Sequence, residues 1–317
     1  MLDAPFKLGA LIWPQYTQWQ PMLDAAARAE DLGYDSLWTW DHLYPIVGSD
    51  EGPIFEGYLT LAGFASVTSR STLGLMVGAN TFRNPALTAK TATTLDHLSG
   101  GRVVLGIGGA WFETEHIAYG LDFGSGFGER LDRLDEAVEV MRGMLNGRPV
   151  SARGEHYHVR DVRNDPPPVH GRMPLLIGGG GEKKTLRTVA RYADMWNIGG
   201  SPDAVRHKDE VLRRWCDEVG RAESEIERTL QGGSVILRAD RDEARRVAAD
   251  VGRINGGWKG PGFAGTTDDL VARFRPYLEL GFRHIYVDFP APFDEETMTR
   301  VAHEVRPALE VAAAAVG

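Results

Sequence analysis

The stretch over residues 71–115 most constrains how this chain folds. An apolar run at 73–79 precedes an Ala- and Thr-rich segment that ends at Leu98, and a second apolar run covers 103–107. Parallel strands are buried on both faces and read as unbroken aliphatic runs, and two such strands need a crossover between them. The stretch therefore predicts a parallel strand–helix–strand unit.

The crossover segment has helical spacing. One apolar stripe is expected to face the sheet, and the residues spaced to form it are Leu87, Thr91, Thr94, Leu95 and Leu98.

The same strand-then-helix order recurs along the whole chain. Further strands are predicted at 6–13, 35–40, 175–178, 195–198, 227–237 and 282–289. Helices are predicted at 21–32, 57–69, 130–145, from 182 onward, and at 202–219, 242–251, 268–280 and 295–315. Eight such units without a linker predict one (β/α)8 barrel domain over residues 1–317, with an open doubly wound sheet as the rival.

Two segments depart from this order. Residues 146–174 are polar and contain several prolines, which predicts a hairpin-and-loop insertion, placed at the carboxyl-terminal rim of the barrel. Residues 116–130 are rich in glycine, which indicates a mobile loop.

Composition argues against several classes of protein. The formal net charge is −9, and no basic stripe is long enough to follow a nucleic-acid backbone. No apolar run approaches the roughly 18 residues of a membrane span, so no membrane partner is expected. The single cysteine, Cys216, allows no intramolecular disulfide, which fits a reducing, cytoplasmic location.

A closed barrel carries its active site where the strands end at their carboxyl termini. That rule selects Trp13, Trp40, Asp41, His42, Asn80, Gly108, Trp111, Glu113, His116, Gly178, Gly179, Gly180, Gly181, Asn197 and Asp288. Large aromatic side chains and glycines around one mouth indicate a broad, planar small-molecule ligand.

Standard cofactor motifs are broken or absent. Gly106 begins a GxGxxG pattern, but Trp111 stands in place of its third glycine. Glu113 and His116 have the spacing of a di-iron ligand pair, but such a site needs a second pair and further carboxylates, so no metal is expected. The four glycines at 178–181 lie between a strand and a helix, where free backbone N–H groups cradle a phosphate; the alternative is a flexible turn.

Three blocks carry a family resemblance: Asp41-His42 after the second strand, TFRNPALTAKTATTLDHLSGGRVVLGIGGAWFETEHIAYG and IGGGGEKKTLRTVARYADMWN. Together they resemble the bacterial luciferase-like monooxygenase superfamily, particularly its branch that uses the deazaflavin coenzyme F420. The resemblance implies a flavin-type ring beside Asp41 and His42, a cis peptide bond at Met76–Val77, and usually a homodimer. The cofactor-binding residues that it implies are Asp41, Met76, Val77, Gly78, Ala79, Asn80, Gly108, Gly109, Trp111, Gly178, Gly179, Gly180 and Gly181.

The resemblance also implies the chemistry. His42 would act as acid or base in a hydride transfer, with Asp41 orienting its imidazole or bonding the cofactor, and Glu113 as a further catalytic residue. Sugar-phosphate dehydrogenases of this branch place a catalytic glutamate near the position of Gly109, which makes that substrate doubtful here. Trp13, Trp40 and Trp111 instead predict a less polar, ring-containing substrate.

Two other functions stay open at this point. One is an FMN-dependent monooxygenase that uses O2 on the same barrel. The other is a barrel that binds or carries flavin without catalysing a reaction.

Overall fold

The computed structural model describes residues 5–316. Eight parallel strands form the barrel wall, the third continued by a short β4; they are β1 (Lys7–Ile12), β2 (Ser36–Thr39), β3 (Thr72–Leu75) with β4 (Gly78–Ala79), β5 (Val103–Gly108), β8 (Leu175–Gly178), β9 (Met195–Ile198), β10 (Glu227–Leu237) and β12 (His284–Phe289). Outside the wall lie β6 (Val150–Arg153), β7 (His158–Val162) and β11 (Phe263–Gly265).

Helices lie between successive strands. They are α1 (Trp19–Asp31), α2 (Gly57–Val67), α3 (Pro85–Ser99), α4 (Glu113–Tyr119), α5 (Phe127–Leu145), α6 (Thr185–Tyr192), α7 (Pro202–Val219), α8 (Arg241–Ile254), α9 (Thr267–Glu279), α10 (Glu295–Arg300) and α11 (Arg306–Ala314). Among residues 5–316, no helix combines the length and apolar character needed to cross a bilayer.

The sheet closes on itself. Its order is β1-β2-β3-β5-β8-β9-β10-β12, and β12 pairs with β1 in parallel from Lys7↔His284 to Ile12↔Phe289. The predicted (β/α)8 barrel is confirmed, and the rival open sheet is wrong.

The third strand is interrupted in its middle. Residues 73–79 were expected to be one strand, but β3 ends at Leu75 and β4 resumes at Gly78. The intervening Met76–Val77 peptide bond is cis, as the resemblance implies. Strand pairing resumes with Gly78 beside Ile107 and Ala79 beside Gly108.

The predicted stripe on α3 is largely wrong. Leu87 and Leu98 are 57% and 55% exposed, whereas Ala89, Ala92 and Leu95 are buried. The face with small side chains packs inward because α3 lies close to α2, α5 and β5.

The segment between α5 and β8 contains the antiparallel pair β6–β7. The hairpin leaves the end of α5 and returns to the start of β8, so it connects at the amino-terminal end of the barrel rather than at the rim. Only the tip of the hairpin lies near the rim, where Asn80 Nδ2 donates to the Tyr157 hydroxyl over 3.3 Å.

The glycine-rich stretch at 116–130 is only partly the loop that was expected. Its first residues belong to α4 and its last to α5, and residues 120–126 between them form neither helix nor strand. Glu115 and His116 lie on the buried side of α4. Both ring nitrogens of His116 are engaged, with Thr81 Oγ1 at 2.6 Å and the Phe112 carbonyl oxygen at 2.8 Å.

Charged side chains close the amino-terminal end of the barrel. Glu227 lies 3.0 Å from Lys7 Nζ and 2.9 Å from His284 Nδ1. The guanidinium of Arg228 is fully buried and bonds Asp209 at 2.9 Å. Burial alone would raise the pKa of Glu227, but His284 and Lys7 lower it to about 2. At this end of the barrel, the charged groups of Glu227 and Arg228 each have an oppositely charged partner.

Candidate functional site

A cavity of about 360 Å³ opens at the carboxyl-terminal ends of the barrel strands. This is the end at which barrels of this type carry their active sites. Its lining residues are Trp40, Asp41, His42, Ile46, Met76, Val77, Gly78, Ala79, Gly108, Gly109, Ala110, Trp111, Glu115, Phe127, Leu131, Gly178, Gly179, Gly180, Gly181, Thr185, Asn197 and Gln231.

His42 follows β2 and is fixed by a glutamate from α4. Its Nδ1 lies 2.9 Å from Glu115 Oε1, and Glu115 Oε2 accepts the Leu43 backbone N–H at 2.8 Å. The Glu115 side chain is only 1% exposed. A carboxylate only accepts hydrogen bonds, so Nδ1 carries the proton in this pair, and Nε2 has no partner within residues 5–316. The imidazole is thus positioned to exchange a proton at Nε2.

Asp41 does not orient His42, contrary to the expectation. Its Oδ2 accepts the Ala79 N–H at 3.0 Å and Arg83 Nη1 at 2.7 Å, while Oδ1 accepts Arg83 Nη2 at 3.0 Å. Arg83 also contacts Glu56 and lies over the Tyr58 ring, 4.9 Å from its centroid. Asp41 therefore anchors the backbone of β4, the segment that forms one wall of the cavity.

Glycines make room for the side chain of Val77 in the cavity floor. A Cβ on Gly108 would lie 2.7 Å from Val77 Cγ2, and one on Gly178 would lie 3.0 Å from Val77 Cγ1. Real Cβ contacts are longer, so larger residues at these positions would displace Val77. Val77 therefore gives the cavity an apolar surface on which a flat ring can lie.

The glycine run at 178–181 lies at the edge of the cavity, just before α6. Gly179 has a φ of +118°, a value that favours glycine. The backbone N–H groups of Gly180 and Gly181 have no hydrogen-bond partner within residues 5–316. Lys184, close by, donates to Asp132 at 2.7 Å. The loop offers unpaired donors near a helix start, the arrangement in which anions bind.

The cavity wall across from His42 is polar and is formed by β9 and β10. Asn197 Nδ2 donates to Thr229 Oγ1 at 3.0 Å, and Gln231 Nε2 donates to Asp288 Oδ1 at 2.5 Å. Burial raises the pKa of Asp288 to about 7, although the neighbouring Trp13 and Gln231 side chains lower it. The Trp13 indole lies beside this carboxyl group, yet its Nε1 lies outside regular hydrogen-bond geometry.

Most residues predicted from the sequence line the cavity. The five that do not are Trp13, Asn80, Glu113, His116 and Asp288. Trp13 is 2% exposed and packs in the barrel interior, 4.6 Å from Trp40 between ring centroids. Asn80 is buried toward Tyr157, and Glu113 is exposed at the start of α4, two residues before the glutamate that bonds His42.

Several lining residues were missed by the sequence analysis: Ile46, Ala110, Glu115, Phe127, Leu131, Thr185 and Gln231. A helical reading of residues 113–119 would have placed Glu115 and His116 together on one face. No pattern in the sequence indicated that Gln231 lines the cavity. It lies within the long strand β10, and the shift of register with β12 directly after it depends on strand pairing, which the sequence does not show.

The chain matches known proteins over nearly its full length. A sequence model described as luciferase-like monooxygenase matches residues 6–315. The F420-dependent glucose-6-phosphate dehydrogenase of Amycolatopsis mediterranei is 27% identical over 324 residues, covering 91% of this chain and 94% of that protein. The one from Kineococcus radiotolerans is 31% identical over 247 residues, covering 77% and 71%.

Solved structures give the same fold. An F420-dependent secondary alcohol dehydrogenase in complex with an F420-acetone adduct superimposes with a TM-score of 0.82 at 21% identity, over 96% of this chain and 99% of that one. The family match and the barrel geometry agree, and the chain belongs to the luciferase-like monooxygenase family.

Proposed function

We propose that this protein is a coenzyme F420-dependent oxidoreductase that transfers a hydride between the cofactor and a small organic substrate. The observation that carries the proposal is His42, held by the buried Glu115 at the edge of a glycine-lined cavity. Relatives named as F420-dependent dehydrogenases cover more than nine tenths of the chain and support the choice of cofactor.

The cavity fits such a cofactor. Val77 offers an apolar floor for a tricyclic ring because Gly108 and Gly178 leave room for it. Gly180 and Gly181 offer free N–H groups for the phosphate of the cofactor side chain. When bound, the deazaflavin supplies or accepts the hydride, which is chemistry that side chains do not provide.

The residues of this chain supply the proton. The substrate carbon that exchanges a hydride carries an oxygen whose proton must leave or arrive in the same reaction. His42 Nε2 is free to take or give that proton, and Glu115 stabilises the imidazolium that forms. Asp41, bonded to Arg83 and to the Ala79 N–H, holds the cavity wall rather than moving a proton.

The wall beside His42 supports a substrate with an apolar, ring-sized part. Trp40, Ile46 and Trp111 line the cavity there, and the rings of Trp111 and His42 meet edge to face at 5.6 Å. This keeps the sequence-based expectation of a ring-containing substrate, now without Trp13.

Cofactor titration tests the proposal. Purified, cofactor-free protein is titrated with F420 and, separately, with FMN, and fluorescence quenching gives the two dissociation constants. We expect F420 to bind at least about ten-fold more tightly, and reduction of F420 to proceed without O2. Tight binding of FMN with no binding of F420 would instead identify the FMN-dependent monooxygenase, and binding without turnover of any alcohol tried would favour the carrier.

We also propose that the protein acts as a homodimer. Leu59 on α2 and Leu87 and Leu98 on α3 are each more than half exposed, and large apolar side chains left on a surface often mark an interface. Sedimentation of the wild type and of a Leu87→Glu/Leu98→Glu variant tests this; a monomeric wild type would contradict it.

A further inference from the structure

The polar wall of the cavity contains two amides whose orientation the structure determines. Asn197 lies on β9 and Gln231 on β10, and the register Thr229↔Asn197 puts Gln231 two residues further along the same face of the neighbouring strand. Both residues line the cavity.

The orientation of Asn197 follows from Thr229. The Thr229 hydroxyl donates its only proton to the Trp196 carbonyl oxygen at 2.9 Å. Its oxygen can therefore only accept, so the Asn197 atom beside it at 3.0 Å is the amide nitrogen. Oδ1 points away from Thr229 and has no hydrogen-bond partner within residues 5–316, although the residue is 93% buried.

The orientation of Gln231 is set by Asp288. Gln231 Nε2 donates to Asp288 Oδ1 at 2.5 Å, and this oxygen accepts the bond both when Asp288 is ionised and when its proton is on Oδ2. Oε1 is left without a partner within the described part of the chain. The chain that leaves β9 passes close by, since a Cβ on Gly199 would lie 3.3 Å from Gln231 Cβ. Gln231 is thus confined between Asp288 and that segment.

We propose that Asn197 Oδ1 and Gln231 Oε1 form a two-acceptor site that selects substrates carrying hydrogen-bond donors on the edge facing β9 and β10, with Asp288 as the positioning residue for Gln231. The inference rests on the proposed function and deepens it. β2, with His42, and the β9–β10 pair lie on opposite sides of the mouth. A substrate therefore meets the proton-exchanging group at one end and the acceptor pair at the other.

Two amide oxygens without partners discriminate sharply between ligands. A ligand with hydroxyl or amino groups satisfies them, whereas a ligand of equal size without donors would cover both acceptors and leave them unpaired. The apolar wall of Trp40 and Trp111 binds both kinds of ligand equally well. The acceptor pair therefore determines which ring-sized molecules bind productively.

Paired probes test the inference. Resorcinol and 1,3-difluorobenzene are rings of similar size with two O–H donors and with none, and calorimetry measures their binding to the full chain with and without F420. We expect resorcinol to bind the wild type roughly ten-fold more tightly, the effect of two net hydrogen bonds. The F420 titration of the wild type tests the proposed function separately, because the cofactor-free arm reports on the acceptor pair alone.

Variants then assign the preference to its residues. Gln231→Met and Asn197→Leu should each reduce the resorcinol preference to about two-fold or less. Gln231→Glu, which keeps an acceptor oxygen and shares a proton with Asp288, should retain more of it. Asp288→Leu should lower the preference without weakening the binding of 1,3-difluorobenzene, a result that a purely structural role would not produce.

Three results would overturn the inference. The first is equal affinity of the wild type for both probes, which needs no variant. The second is an unchanged preference in variants whose melting temperatures show them folded. The third is a loss of F420 affinity in Gln231→Met and Asn197→Leu with the probe preference intact, because the amides would then bind the cofactor.

Discussion

Buried carboxyl groups at the two ends of the barrel have pKa values shifted in opposite directions. Glu227, at the amino-terminal end, lies between Lys7 and His284, and its pKa is lowered to about 2. Asp288, at the carboxyl-terminal end, has the Gln231 amide and the Trp13 indole beside it and no cationic partner within residues 5–316, and burial raises its pKa to about 7. Cationic partners make the difference. One end uses its charges for stability, whereas the other keeps groups available to a ligand.

The largest effect expected at the ligand end comes from His42→Ala. Loss of a positioned acid or base lowers kcat by about 10²–10⁴-fold, while F420 affinity stays within about two-fold because Val77 and the glycine run are untouched. Steady-state kinetics and fluorescence titration measure the two quantities. The control is His158→Ala, on the exposed face of β7. Unchanged turnover in His42→Ala would remove His42 from the mechanism.

At the other end, Asp209→Ala should affect stability and not turnover. Of the two carboxylates that bond the buried guanidinium of Arg228 in the described part of the chain, the variant leaves Glu223 alone. Removing one member of a buried ion pair costs about 3 kcal/mol. Urea unfolding measures the loss, and kcat/KM at 25 °C should stay near the wild-type value. A large loss of activity in the folded variant would contradict the division between the two ends.

A third prediction separates Glu115 from Glu113. Glu115→Gln keeps an oxygen for the Leu43 N–H but no longer stabilises a charged His42, so kcat should fall by roughly 10–100-fold with little change in F420 affinity. Glu113→Gln is the matched control, two residues away and exposed. Equal losses in both variants would argue against the pair described here.

The smallest effect expected concerns how the free energy of unfolding depends on pH. Variants of Asp288 and Glu227 should differ from the wild type with opposite dependence on pH. Asp288 has a raised pKa, so its contribution is present below its unfolded pKa and is lost as the pH rises from about 4 to 7. Glu227 has a lowered pKa, so its contribution is present above its unfolded pKa and is lost as the pH falls toward 2. Urea unfolding between pH 3 and 8 should show Asp288→Asn gaining on the wild type with rising pH, by roughly 1 kcal/mol or more.

The companion variant Glu227→Gln should show the reverse, with its largest deficit near neutral pH and little difference from the wild type at the acid end. Parallel slopes for the two variants would mean that the two carboxyl groups do not differ in the way described.

The sequence predicted what depends on local pattern and on the barrel rule. Unbroken aliphatic runs gave the strands, and strand ends gave Asp41, His42 and the glycine run. What could not be predicted depends on packing between distant segments. The partner of His42 was assigned to Asp41, its neighbour in sequence, but Arg83 occupies Asp41, and α4 brings Glu115 to the imidazole.

The predicted bounds of β10 are correct, but the sequence pattern does not show its register. The register of β10 with β12 shifts directly after Gln231, at the cavity wall, and this depends on the neighbouring strand. For Trp13 the prediction was wrong in another way. A large aromatic residue at a strand end was expected to face a ligand. It instead fills the barrel interior beside Trp40 and Trp258.

The Arg83 contact has a consequence for how this protein can diversify. Arg83 bonds Asp41, which follows β2 and accepts the Ala79 N–H of β4. It also bonds Glu56 at the start of α2. Ile46, Phe127 and Gln231 line the same cavity but come from other segments, and none of the hydrogen bonds of Asp41 or Arg83 within residues 5–316 involves them. Substitutions at these three positions can therefore reshape the cavity wall while the contacts that hold β4 in place stay the same.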